Sequence, residues 1–271
     1  MGPTKRVRYR SAQGRSITRR GFLAGALLAA GCAVATASRV IGSAPPAGSN
    51  ATSSPETADA GDLRQTDLPV DAASPARTYN GSPNDWSLVL VNAENPLPEG
   101  YEPALAPLEQ GFYADERCTA EAMSMMDACR EAGLSPLICS AYRSKEVQEG
   151  LFANNVQKGL AAGLSLEDAR AEAGKSVAVP GASEHQLGFA LDIVDLNNQN
   201  LDETQESTPV QQWLIEHCGK FGFILRYPTG KSAVTGIIYE PWHYRYVGRE
   251  VAEEIRELGV CLEEYLALIG G

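Results

Sequence analysis

Apolar positions recur along this chain at two spacings, and the places where the spacing changes divide it into elements. Between Asp115 and Ala132, Cys118, Ala122, Met125 and Cys129 fall three or four residues apart. That is the stripe of a helix with one buried face, and Gly133 stands where such a helix would end. Leu137 to Tyr142 is a short apolar run that predicts a buried strand. Ser144 can then cap a helix carrying Gln148, Leu151, Phe152 and Val156. Ser165-Leu166-Glu167-Asp168 has the form of a capping box and predicts a short acidic helix to about Val177. Pro180-Gly181 closes that unit, and Phe189 to Val194 predicts another strand. Thr208-Pro209 sets a capping hydroxyl before a proline at the first helical position, opening a helix expected to reach about Lys220 and to stop at Gly222.

The remaining segments are read in the same way. Trp86 to Val91 is apolar and of strand length, and a Pro-rich loop follows from Asn95 to Pro107. Phe223 to Tyr227 and Gly236 to Tyr239 predict two strands of a hairpin turning at Pro228-Thr229-Gly230. Two further helices, Arg249 to Leu258 and Cys261 to Ile269, are separated by Gly259. Strands and helices mix without regular alternation, so the expected class is α+β.

Composition divides the chain before Trp86. Residues 42–85 are rich in Ser, Pro, Ala, Gly, Thr and Asp, and such a stretch buries too little apolar surface to offset its ordering entropy. It reads as a flexible tether, with the globular domain at 86–271. The first twenty residues hold seven Lys or Arg and no acid, which leaves 16 basic against 34 acidic residues in the rest. A body so acidic excludes nucleic acid as a partner, because phosphate binding needs a cationic surface. Thr18-Arg19-Arg20-Gly21-Phe22-Leu23 resembles a twin-arginine export signal, and the uncharged run from Gly21 to Ser38 ends near Ala35-Thr36-Ala37, an A-x-A cleavage pattern. Residues 1–41 are thus expected to be an export signal or a membrane anchor, although 18 residues rich in Gly and Ala are at the lower limit for crossing a bilayer. Lipidation at Cys32 ranks behind cleavage, since Ala29 stands where a lipobox favours a larger aliphatic residue. The protein is expected outside the cytoplasm, secreted or tethered to the bacterial envelope, and touching membrane only through this segment.

The six cysteines contain no C-x-x-C, so they do not form a zinc cluster. Cys118 and Cys129 lie about 16 Å apart on one helix and cannot pair. Most of the cysteines read as small buried hydrophobes.

Two of the chain's three histidines stand in motifs with acids. His185 and Asp192 are seven residues apart with Gly188 between them, and a turn there followed by a strand would return the imidazole and the carboxylate to one point. His243 supplies a third ligand from fifty residues on. Two imidazoles and a carboxylate suit a single Zn²⁺ that keeps its fourth position open. Glu240, three residues before His243 and biased to extended backbone by Pro241, is placed as general base. Arg143, at the end of a strand, suits carboxylate recognition or oxyanion stabilisation. His217 has no acidic partner pattern and is assigned to packing or surface. Trp242 and Tyr244 read as packing around His243, and Arg245 as structural.

Ser140-Ala141-Tyr142-Arg143-Ser144 with Gln148, the segment Ser183 to Ile193, Phe221 to Pro228, and Glu240 to Gly248 stand in an order that resembles the VanY-like D-alanyl-D-alanine carboxypeptidases. The resemblance covers roughly Trp86 to Gly248, and a departure such as Ala141, where the family often has Gly, is conservative. It implies a zinc peptidase fold, a small antiparallel sheet flanked by helices, acting on peptidoglycan stem peptides; separately, the protein is expected to be a monomer. By motif position the resemblance implies that His185, Asp192 and His243 bind zinc, that Glu240 is the base, and that Arg143, Gln148 and Ser183 contact substrate. An L,D-carboxypeptidase or a D-Ala-D-Ala dipeptidase of the same fold is the near alternative. A non-catalytic, zinc-stabilised wall-binding module is the distant one, and it would not need Glu240 and Arg143.

Overall fold

The structure, a computed structural model, describes residues 78–270. The proposed export signal and nearly all of the tether lie outside the described residues. In chain order the elements are β1 (Leu105–Pro107), β2 (Tyr113–Asp115), α1 (Glu116–Glu131), β3 (Pro136–Ser140), α2 (Lys145–Ala161), α3 (Leu166–Gly174), α4 (Glu184–Leu187), β4 (Ala190–Asp195), α5 (Pro209–His217), β5 (Phe223–Leu225), α6 (Ser232–Thr235), β6 (His243–Tyr246), α7 (Arg249–Leu258) and α8 (Leu262–Gly270). The first two strands pair with each other, and the main sheet is antiparallel in the order β3-β4-β6-β5. This is the α+β architecture expected.

The caps read from the sequence at Ser144, Ser165 and Thr208 form, and Asp115 adds one that was not read. Asp115 accepts from the Arg117 amide at the start of α1, Ser144 from Val147 at α2, Ser165 from Asp168 at α3, and Thr208 from Gln211 at α5 with Pro209 behind it. Each such cap is worth about 1 kcal/mol. Gly222 ends the helical stretch after α5 at φ 81°, where a Cβ would lie 2.7 Å from the Tyr246 ring.

Side chains alternate along a strand, so the sheet has two different faces. Leu191 and Ile193 of β4, Ile138 of β3 and Tyr244 and Tyr246 of β6 join Cys118, Ala122, Met125, Met126 and Cys129 of α1 and Val210 and Leu214 of α5 in the main core. Burying each large apolar side chain there contributes about 1.5–3 kcal/mol. The opposite face carries Asp192 on β4 and His243 and Arg245 on β6. A second core packs α7 and α8 against Leu88, Ile224 and Val247, and a third holds α2 to α3 through Phe152, Val156, Ala169 and Ala173. No disulfide joins the five described cysteines. Burial pushes the Cys118 and Cys218 thiols up to about 12, which makes them inert.

Three expectations are corrected. Trp86 to Val91 is not a strand: Trp86–Leu88 is a single 3-10 turn. The Ser87 and Val89 carbonyls both accept from Arg245 Nη2 at 2.9 Å, so this segment curls around a buried guanidinium instead of extending along a sheet edge. The hairpin about Pro228 does not form either. β5 pairs with β6, Ile224 opposite Arg245, while α6 fills the stretch between the expected turn and Gly236, and the Ile238 amide bonds the Lys175 carbonyl beside α3. Finally, the tether stops short of residue 85. The Asn80 amide donates to Glu254 of α7 and the Gly81 amide to the Tyr265 hydroxyl of α8.

Candidate metal centre

Antiparallel register sets Asp192 directly opposite His243 across β4 and β6, and side chains so paired share a face. His185 arrives from the one-turn helix α4, which ends at Gly188 with φ 91°. A Cβ on that glycine would lie 3.2 Å from both Cβ and the backbone nitrogen of Asp115, so the tight return that starts β4 needs glycine there. The His185 Nε2 lies 3.3 Å from Asp192 Oδ2, and His243 Nδ1 lies 3.2 Å from Asp192 Oδ1. The two rings stand edge to face, 4.9 Å between centroids. One ligand atom from each of the three residues lies within 4.8 Å of the other two.

The atoms behind the rings fix which nitrogen faces the centre. His185 Nδ1 is 2.7 Å from the Ala141 carbonyl, which assigns its N–H to that side and leaves Nε2 with its lone pair inward. His243 turns Nδ1 inward, and its Nε2 lies 3.5 Å from Glu184 Oε2. Asp192 Oδ1, His243 Nε2 and Glu184 Oε2 are buried without a hydrogen-bond partner. A carboxylate oxygen in that condition, flanked by two imidazoles, is explained by a cation held between them. Two nitrogens and one oxygen match the donor set of a catalytic zinc, so the residues fit that ion.

The electrostatics separate the roles. Burial and the Arg143 charge lower His185 to about 4, so its ring is neutral at pH 7 and ready to ligate. Burial opposes the ionised form of Asp192, yet His185, His243 and Arg143 hold its carboxyl well below the usual range. Burial also opposes protonated His243, and the Asp192 and Glu184 carboxylates nevertheless raise it to about 9. Burial pushes Glu240 up to about 8, with Asp192 adding to the rise. Its Oε2 lies 3.5 Å from His243 Nδ1. Glu240 therefore stands beside the triad as a group able to take up a proton near neutral pH. Its turn is fixed by the backbone, its amide bonding the Tyr227 carbonyl and its carbonyl accepting from His243.

Arg143 reaches the centre from the end of β3. Its Nη2 is 2.7 Å from Asp192 Oδ2, its Nε 2.8 Å from Ser140 Oγ, and its Nη1 3.4 Å from Gln148 Oε1. Gln148 is fully buried and also bonds the Ala178 carbonyl at 2.8 Å. It stands behind Arg143 and holds it, outside the cleft wall where a substrate contact was expected. Ser183 caps no helix amide and lines the cleft with Arg143, His185, Asp192, Glu240 and His243, in a volume of about 280 Å³. His217 takes no part; its ring packs edge-on against Trp213 at 4.8 Å.

Sequence reasoning missed Glu184 and Arg226. Glu184 Oε1 accepts from both Arg226 Nε at 2.7 Å and Arg245 Nη1 at 2.8 Å, and all three side chains are fully buried. The available signal was two arginines within apolar strand segments, which implies buried carboxylate partners.

The stretch that holds these residues is similar to known proteins. A family profile described as D-alanyl-D-alanine carboxypeptidase (VanY) matches residues 112–249, a span that holds every residue of the centre. The chain belongs to the VanY family. An Enterococcus faecalis protein named D-alanyl-D-alanine carboxypeptidase is 44% identical over 186 residues, 69% of this chain and 68% of that protein. The VanY D,D-pentapeptidase of a VanB-type vancomycin-resistance cassette, solved with Zn(II) as a glutamate-to-alanine variant, is 43% identical. The match covers 67% of this chain and 99% of that one, with a TM-score of 0.61. LdcB, an LD-carboxypeptidase solved for its peptidoglycan recognition, is 31% identical over 72% of this chain and 94% of its own, with a TM-score of 0.59. The VanY fold of this chain is thus the small antiparallel sheet with flanking helices that the resemblance implied.

Proposed function

We propose that this VanY-family chain is a zinc-dependent carboxypeptidase that removes the terminal D-alanine from peptidoglycan stem peptides. The observation that carries the reading is the buried, unpartnered Asp192 oxygen between two inward-facing imidazoles, with Glu240 beside them. His185 Nε2, Asp192 and His243 Nδ1 would hold zinc, which would supply the Lewis acidity that makes water a nucleophile near pH 7. Glu240 takes the proton of the attacking water and returns it to the amine that leaves as the peptide bond breaks. Arg143 offers its guanidinium on the cleft side of Asp192, where it meets the terminal carboxylate or the oxyanion. Gln148 and Ser140 hold that guanidinium in place. Ser183 faces the substrate from the mouth of α4.

Stereochemistry at the residue before the cut bond is the point on which a second reading stands, because the LdcB likeness is with an LD-carboxypeptidase. The deciding experiment incubates purified protein with defined tetrapeptide and pentapeptide stems, with and without chelator, and weighs the products. Chelator-sensitive release of D-alanine from the pentapeptide alone is expected. Release from the tetrapeptide alone would assign L,D specificity, and loss of a D-Ala-D-Ala dipeptide would assign dipeptidase action. No release from either stem would leave the wall-binding module.

The site of action is proposed to be outside the cytoplasm, supported by the twin arginines at 19 and 20 and the A-x-A pattern at 35–37. Replacing Arg19-Arg20 by Lys-Lys and fractionating the cells is expected to trap the protein inside. Unchanged export would remove that reading.

A further inference from the structure

The helix α8 lies beyond residue 249, where the VanY family match ends, yet one of its side chains is wired to the metal centre. Glu263 grips Arg226 with both oxygens, Oε1 to Nη2 at 2.6 Å and Oε2 to Nη1 at 2.9 Å. The third donor of Arg226, Nε, bonds Glu184 Oε1 at 2.7 Å. Arg245 Nη1 donates to that same oxygen at 2.8 Å. Glu184 is thus held by one oxygen, and the other lies 3.5 Å from His243 Nε2, facing it without a hydrogen bond in the metal-free structure. The Arg226 guanidinium also lies 4.8 Å from the centroid of the Tyr227 ring, which stands 4.8 Å from the His243 ring.

The two arginines that hold Glu184 are anchored differently. Arg245 is tied to the carbonyls of Ser87, Val89 and Tyr246, so main chain fixes it. Arg226 is fixed through the Glu263 side chain, which is 12% exposed. A carboxylate facing the outer nitrogen of a ligating histidine is placed to accept its N–H, which sets the tautomer and ring angle and raises basicity toward the metal. We propose that Glu263 on α8 is a positioning residue for the metal centre, acting through Arg226 and Glu184 on His243. The proposal rests on the zinc reading of that centre.

The test measures zinc affinity of the full chain by competition with a chromophoric chelator, together with the absorption bands of the cobalt-substituted protein. Glu184→Gln is expected to weaken zinc binding about 10–100-fold, the usual effect of removing such a partner. Glu263→Gln, one step further away, is expected to weaken it several-fold and to shift the cobalt bands. Glu264→Gln is the control on the same helix: its side chain pairs with Lys231 at 2.8 Å and leads nowhere near the centre, so affinity and spectrum should stay as in the parent. In the double variant Glu184→Gln/Glu263→Gln the second change should add little, because its effect runs through the first. Should Glu184→Gln fail to fold, the comparison of Glu263→Gln with Glu264→Gln still decides. Equal zinc affinity and identical cobalt bands in those two would overturn the linkage while leaving the zinc site intact. A parent chain that takes up no zinc would overturn the metal reading and the linkage with it.

Discussion

The segment from Ala182 to Asp195 is buried at every residue, whereas Pro228 to Tyr239 is exposed or half-buried everywhere except Thr235, and both line one cleft. The first belongs to α4 and the central strand β4 and carries two of the metal-site residues; their partners are backbone, paired strands and buried charges. The second is a run of turns around α6 that presents Ile237 and Ile238 to the same space. The difference separates two tasks. Ligands and base need fixed distances, which packing on all sides supplies, while a wall that meets a peptide tail tolerates change.

Substitutions sharpen that contrast, beginning with the buried side. His185→Ala or His243→Ala removes one of three ligands, and zinc content by elemental analysis is expected to fall toward zero along with activity. Glu240→Gln should keep zinc at one per chain while turnover falls about 10²–10⁴-fold. Loss of metal in that variant would make Glu240 a ligand. Arg143→Ala should lower kcat/KM about 10²–10³-fold with a small change in stability, since this side chain is partly open to the cleft. On the exposed wall, Ile238→Ala should change KM by roughly tenfold or less and leave zinc content alone. If Ile238→Ala strips the metal, the two walls are not independent.

The smallest effect concerns stability. The Glu240 carboxyl, at about 8 in the metal-free fold against 4.5 for a free glutamate, binds its proton more tightly folded than unfolded. The stability this confers is therefore present below pH 4.5 and is lost as pH rises toward 8. Metal-free Glu240→Gln escapes that loss. Above pH 8 it should melt later than the metal-free parent, by on the order of a few kcal/mol at most. An earlier or unchanged melting point would show that Glu240 is not held protonated by burial.

Legibility in the sequence followed the same division. The helix α1 announced itself through apolar spacing, and α2 and α5 also through Ser144 and Thr208 as caps, because both signals are local. The positions of His185, Asp192, Glu240 and His243 were legible because histidine is rare here and the acids fall at telling distances. Trp86 to Val91 misled because its burial serves tertiary partners: Leu88 enters one core, Val91 another, and two carbonyls turn inward to Arg245. Gly236 to Tyr239 misled because its apolar content resembles a strand, whereas Ile237 and Ile238 serve the cleft wall and the Ile238 amide bonds the Lys175 carbonyl. Glu184 was silent. A glutamate next to a histidine carries no message until Arg226, Arg245 and Glu263 are brought around it from three distant parts of the chain.

Zinc-dependent hydrolysis at this centre requires one ion held by two imidazoles and an aspartate, with the glutamate outside its shell. Crystals soaked in zinc and measured on both sides of the zinc absorption edge test this directly. The expected result is a single anomalous peak about 2.0–2.2 Å from His185 Nε2, His243 Nδ1 and an Asp192 oxygen, with both Glu240 oxygens farther off. A peak that includes Glu240 as a ligand, or that lies away from these three residues, would contradict it.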